Sequence, residues 1–211
     1  TLQVECVEWW ADWFQDCRDP AAVARCLQKL RVALGSKLLL VTFRTQAEGG
    51  QVTLSPAEYR QFLELVLATD CADLLDIEFF TAGADLPLLV EQAHTAGVPV
   101  VCSSHDFHKT PPRAELVHRM VAMQQAGADL PKVAVMPQSR TDVLELLAAT
   151  AEMADLHPET PVITMSMGTL GAVSRLAGEA FGSAMTFANP GQASAPGQVS
   201  LDIVNEVLDA L

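Results

Sequence analysis

The sequence predicts a parallel α/β domain of the TIM-barrel type, and three observations carry the prediction. Short apolar runs alternate with amphipathic stretches from Pro20 onward, the units are evenly spaced without a break in composition, and polar residues collect where the apolar runs end.

Seven strand candidates follow one another: Gln3–Glu8, Lys37–Arg44, Asp73–Glu78, Val98–Ser104, Lys132–Met136, Pro161–Ser166 and Ala184–Phe187. Between and after them lie helix candidates with apolar residues at three- and four-residue spacing: Pro20–Leu34, Pro56–Ala68, Asp85–Ala96, Pro112–Ala126, Arg140–Met153, Leu170–Phe181 and Val199–Leu211. Their ends are signalled. Ser55 before Pro56 and Thr110 shortly before Pro112 are cap-then-proline starts, and Gly35, Gly97, Gly127 and Gly182 stand where helices stop. The polar strand ends are Glu8, Arg44, Glu78, His105 and Ser166. An open doubly wound sheet would concentrate such residues near one switch point, whereas a barrel spreads them over many strands. A closed barrel needs eight strands and typically about 250 residues. The expectation is therefore one (β/α) barrel domain over residues 1–211 that lacks its first βα unit.

Of 211 residues half are apolar, while 26 acidic and 13 basic side chains leave a formal charge of −13. That charge repels nucleic acid and anionic membranes, so an anionic substrate has to be met by a local cluster of Arg or Lys. No apolar stretch approaches the roughly 20 residues of a membrane helix, and no leader-like segment opens the chain, so a cytoplasmic protein is expected. Cys6, Cys17, Cys26, Cys71 and Cys102 are scattered without any Cys-x-x-Cys pair, which reads as reduced structural thiols and no metal site.

Four places can carry chemistry. Lys132 opens the run Lys132-Val133-Ala134-Val135-Met136, and alternation puts it on the face of Ala134, opposite Val133 and Val135. If that face is the interior, a buried amine there has its neutral, nucleophilic form favoured; the alternative is a solvated lysine at the strand entry after Pro131. His105 stands where a barrel strand delivers a side chain to the active face, either as a proton carrier or as a hydrogen-bonded structural residue. His108 follows at His-x-x-His spacing, but no matched carboxylate or thiol cluster accompanies the pair. Arg44 and Glu48, ahead of Gly49-Gly50, can hold a ligand and orient a histidine, or can form a surface ion pair in a turn. Arg175 follows Gly168 and Gly171, glycines that permit either close approach of a ligand or tight packing of an ordinary helix.

Taken together these segments resemble the type I 3-dehydroquinate dehydratases. The resemblance runs through Thr42-Phe43-Arg44 with Glu48-Gly49-Gly50, Ser104-His105-Asp106-Phe107 with Thr110-Pro111, and Pro131-Lys132-Val133-Ala134-Val135-Met136-Pro137. It continues through Ile163-Thr164-Met165-Ser166-Met167-Gly168, Ser174-Arg175-Leu176, Phe181-Gly182-Ser183 and Ala193-Ser194-Ala195-Pro196-Gly197-Gln198. It implies an eight-stranded α/β barrel, a homodimer, no cofactor and no metal, and loss of water from 3-dehydroquinate in the shikimate or quinate routes. It also implies roles. Lys132 forms the Schiff base, His105 moves the proton and Glu48 orients the ring. Arg175, Ser194 and Gln198 lie near the substrate carboxylate, Glu8 and Arg44 near its hydroxyls, and Met167 and Phe187 line the pocket. The loop Gly191–Gly197 would close over the substrate. One departure stands out: the family commonly carries an arginine two residues after the glutamate matching Glu8, and here that position is Trp10. A non-catalytic or weakly active homologue that binds a ligand or a partner is the competing expectation, and another lysine-dependent barrel enzyme, such as an aldolase, is a third.

Overall fold

The structure, a computed structural model, describes residues 4–191 and 195–210. The chain falls into two compact units, Thr1–Ser103 with Ala126–Asp129, and Ser104–Gln125 with Leu130–Leu211.

The first unit holds β1 (Cys6–Trp10), α1 (Pro20–Leu34), β2 (Leu38–Thr42), α2 (Pro56–Ala68), β3 (Leu74–Glu78), the one-turn α3 (Phe79–Ala82), α4 (Leu86–Thr95) and the start of β4 (Val100–Asp106). Neighbouring strands are β1-β2-β3-β4, and each of these pairs is parallel. Helix starts are chemically marked. Asp19 accepts the Ala21 N–H at 2.9 Å before Pro20, and Ser55 and Glu58 form a reciprocal capping box around Pro56. Gly35 ends α1 with φ +58°, a conformation other residues reach only at a cost.

In parallel pairs, residues in register project to the same side. The pairs Glu8↔Leu40, Trp10↔Thr42, Leu40↔Leu74 and Glu78↔Ser103 therefore put Glu8, Trp10, Thr42, Asp76, Glu78 and Ser103 on one face. The opposite face carries Leu39, Val41, Leu75, Ile77, Val100 and Cys102, all fully buried. Phe43, which shares the side of Leu39 and Val41 by alternation, meets Phe62 of α2 edge to face at 4.9 Å.

The second unit continues from the end of β4 through α5 (Arg113–Gln125), β5 (Leu130–Val135), α6 (Arg140–Leu156), β6 (Ile163–Ser166), α7 (Ala172–Leu176) and α8 (Leu201–Leu208). Its strand order is β4-β5-β6, with β5 and β6 parallel. Val133 and Val135 pack with Leu116, Val117 and Met120 of α5 and Leu146, Ala149 and Met153 of α6 in a single cluster. Lys132 pairs with Ile163 and Ala134 with Met165, so these side chains take the other face. The alternation expected around Lys132 is the one observed.

The structure corrects several boundaries. The first strand runs Cys6–Trp10, later than Gln3–Glu8, so Glu8 sits mid-strand; Gln3 lies outside the described residues. Lys132 is the third residue of β5, not its first, and His105 lies inside β4. The strand expected at Ala184–Phe187 is absent among the described residues. Only an isolated bridge joins Val162 and Ser183, followed by a bond from the Ala184 N–H to the Val162 carbonyl at 2.8 Å. The helix expected over Leu170–Phe181 is broken into two 3₁₀ turns and the short α7. Gly171 sits in the first of those turns, and Gly178 with Gly182 flanks the second.

Gly50 has no room for a side chain. A Cβ there would stand 1.9 Å from the Arg44 carbonyl oxygen. Gly50→Ala is expected to lose about 1–3 kcal/mol of stability in denaturant titrations, whereas Gly191→Ala, whose Cβ would meet nothing within 4 Å, should stay within roughly 0.5 kcal/mol of wild type.

The start of α6 offers a pH test. The Gln138 N–H and then the Ser139 hydroxyl hold the Asp142 carboxyl below its ordinary value of 3.8. A lowered carboxylate contributes stability that is present above the ordinary value and lost as pH falls through the lowered one. The gap in unfolding midpoint between wild type and Asp142→Asn should therefore be open at neutral pH and close on acidification.

Candidate active site

In the first unit the polar face is organised around Arg44, which is fully buried two residues past β2. Its Nη1 donates to Glu78 Oε1 at 3.0 Å and to Ser103 Oγ at 2.9 Å, and its Nη2 donates to Asp76 Oδ2 at 2.9 Å. Glu48, also buried, lies 3.6 Å from Nη1. Ser103 in turn donates its own hydroxyl hydrogen bond to Asp76 Oδ1 at 2.7 Å. Glu78 accepts further bonds from the Thr45 amide at 2.8 Å, the Thr45 hydroxyl at 2.7 Å and the Thr81 hydroxyl. Thr42 donates to Glu8 at 2.8 Å.

Burial by itself disfavours the Arg44 charge, but Asp76, Glu78, Glu48 and Glu8 more than reverse this and hold its proton more tightly than usual. The Tyr59 hydroxyl, which receives the Glu78 N–H at 2.8 Å, is pushed well above its normal value by burial and by the nearby Glu78 and Asp76 charges. It therefore stays neutral. The surface ion pair that the sequence allowed for Arg44 and Glu48 is excluded, because both side chains are buried.

In the second unit Lys132 is 2% exposed, which removes the alternative of a solvated strand-entry lysine. Its Nζ stands over the Phe187 ring, 4.3 Å from the centroid. His105 is half-buried near the end of β4, its ring 6.4 Å from that of Phe107 and inclined by 22°. Both neighbours of His105 are tied down. Arg119 of α5 donates to Ser104 Oγ at 3.0 Å, and Asp106 accepts the His108 and Lys109 amides at 2.9 and 3.0 Å. The loop after β4 is also fastened to the end of β5, since the Met136 N–H reaches the Lys109 carbonyl at 3.3 Å.

Arg175 is buried on α7, donates from Nη2 to the Pro196 carbonyl at 3.2 Å, and has its proton affinity lowered by that burial. Its Nε has no hydrogen-bond partner among the described residues. Met167 is buried beside the end of β5, its N–H bonded to the Val135 carbonyl at 2.7 Å. The Gln198 N–H reaches the Ala195 carbonyl at 3.3 Å, and Ser194 lies outside the described residues. The glycines near Arg175 serve close packing. A Cβ at Gly171 would stand 2.1 Å from the Ser166 carbonyl, and one at Gly197 would stand 2.4 Å from the Gly168 carbonyl.

Asp76, Ser103, Tyr59 and Thr45 were not singled out from sequence. For Asp76 the signal existed: Leu74-Leu75-Asp76-Ile77-Glu78 sets two acids on one face of an apolar run. Among the described residues no group of three or more His, Cys, Asp or Glu side chains is placed to hold a metal ion.

The pattern that defines the family described as Type I 3-dehydroquinase matches residues 1–211. This chain belongs to the type I 3-dehydroquinase family. It is 48% identical over 205 residues to a 3-dehydroquinate dehydratase of Klebsiella pneumoniae, covering 97% of this chain and 82% of the relative. A Listeria welshimeri protein of the same name is 46% identical over 211 residues, covering all of this chain and 83% of the relative. Among solved structures, a type I 3-dehydroquinate dehydratase from Clostridium difficile with covalently modified comenic acid superposes with a TM-score of 0.94 at 42% identity, over 99% of this chain and 81% of that one. The parallel α/β fold class of TIM-barrel type read from the sequence stands.

Arg44 is the member of the first unit's polar cluster whose loss should be felt most. Arg44→Met strands Asp76 and Glu78 in the interior and should cost about 3–5 kcal/mol in chemical denaturation. Arg44→Lys is expected to recover only part of this, since one ammonium cannot reproduce the fork that reaches two strands.

Proposed function

We propose that this chain performs its family's dehydration, 3-dehydroquinate to 3-dehydroshikimate, through a Schiff base on Lys132 with His105 as the proton carrier. The observation that carries the reading is the burial of Lys132: a 2% exposed amine on the face opposite the hydrophobic cluster is costly for a fold and is what carbonyl attack requires.

The Nζ lone pair forms a bond to the ring ketone carbon. The ketone oxygen leaves as water, taking one amine hydrogen and one proton from His105, which leaves a cationic iminium. That cation draws electrons from the adjacent carbon, so His105 removes a proton there and a neutral enamine results. The enamine electrons then expel the hydroxyl one carbon further on, with the proton returned by His105, and water releases Lys132 from the conjugated iminium.

Arg175 suits the substrate carboxylate, since its buried guanidinium keeps an Nε without a partner among the described residues. Gln198 and Ser194 are assigned to the same group, Met167 and Phe187 to the pocket wall. Glu48 is assigned to ring orientation, and Glu8 and Arg44 to the hydroxyls. Trp10 takes the place of an arginine in that hydroxyl set, and loss of one such bond corresponds to about 1–3 kcal/mol of binding. A single domain acting as a homodimer in the cytoplasm completes the reading.

Borohydride reduction in the presence of 3-dehydroquinate should leave a stable adduct that mass spectrometry maps to Lys132, and Lys132→Ala should abolish both adduct and enone absorbance. Turnover of Lys132→Ala at the wild-type rate would overturn the mechanism. An inert wild type without adduct would favour a protein that only binds.

A further inference from the structure

Phe187 lies in the irregular segment after β6, and that segment is held in place from two sides. The Ala184 N–H bonds to the Val162 carbonyl at 2.8 Å, and the Thr186 hydroxyl donates to the Arg175 carbonyl at 2.8 Å. The ring that follows is therefore placed by backbone and side-chain bonds. Its face is turned to a nitrogen, with Lys132 Nζ 4.3 Å from the centroid.

An aromatic face carries negative potential, attracts a cation within about 6 Å, and does so more strongly where water is excluded. Lys132 meets both conditions, being 2% exposed. A neutral amine gains no comparable attraction from the same ring. The ring thus separates the states of the nitrogen by charge. It favours the ammonium and the protonated iminium, and leaves the free amine, the carbinolamine and the enamine unassisted.

We propose that Phe187 is a catalytic residue of this site, its ring face holding the positive charge that Lys132 Nζ carries as an ammonium and again as the protonated iminium. The proposal rests on the Schiff-base reading above and adds a role for the ring beyond lining the pocket. It also gives the electron sink a physical seat. On that reading the iminium forms on the same nitrogen, so the ring that attracts the ammonium also attracts the iminium.

The test replaces Phe187 with 4-fluoro-, 3,5-difluoro- and 3,4,5-trifluorophenylalanine, which keep the ring's shape while draining its negative face, and adds Phe187→Leu as the ringless limit. Acetylation of Lys132 by N-acetylimidazole is followed at one fixed pH by peptide mass spectrometry, with the unfolding midpoint of each variant as the check on folding. Only the neutral amine reacts. The rate should climb with each fluorine and reach roughly three- to thirtyfold above wild type when the attraction is gone. Rates that are flat across the fluorinated series, in proteins that unfold at the wild-type midpoint, would overturn the proposal and leave Phe187 a packing residue. Borohydride trapping of the wild type with 3-dehydroquinate is run alongside. Absence of an adduct there sinks the Schiff-base reading, while the acetylation series reports separately on whether the ring holds the amine's charge.

Discussion

Strand alternation under parallel pairing is the constraint on which the rest of this molecule depends. A residue in register with its neighbour must project to the same side, so polarity laid down at every second position of one strand meets polarity on the next. Glu8, Thr42, Asp76, Glu78 and Ser103 share a face for this reason, and Leu39, Val41, Leu75 and Ile77 share the other. In the second unit the same rule sends Val133 and Val135 into the cluster with α5 and α6 and sends Lys132 away from it.

Two basic side chains, Arg44 and Lys132, are buried in different surroundings. Arg44 is surrounded by Asp76, Glu78 and Glu48, a guanidinium whose cost of burial is met by carboxylates at 2.9 to 3.6 Å. Such a group is fixed in place and always charged. Lys132, 2% exposed, has the face of the Phe187 ring 4.3 Å from its Nζ. The contrast is chemical. A guanidinium held by several acids stays charged, whereas an amine can lose a proton and so become a nucleophile, the role proposed for Lys132.

The elements behind the strands serve the same end. Arg119 reaches forward from α5 to Ser104, and Asp106 closes the turn after His105 by accepting two successive amides. The half-buried imidazole is therefore flanked by residues that cannot easily move. In the proton-carrying role proposed for His105 such preorganisation matters, since a carrier displaced by an ångström loses much of its effect.

Much of this was legible in the sequence, because periodicity and cap chemistry are local. The order of the first six strands and the helices between them, the capping at Ser55 and the face of Lys132 needed only neighbours within a few residues. Alternation could also have marked Asp76, an acid set among apolar residues beside Glu78. Only the tertiary structure decided that Arg44 is paired with acids from β3 and a serine from β4, which lie 32 to 59 residues away along the chain. It alone decided that the amine of Lys132 lies against Phe187, and that Ser183 bridges Val162 while residues 184–187 form no strand. Contacts of that kind depend on how distant segments share a small volume, and no short-range pattern encodes a distance between residues that the chain brings together only by folding.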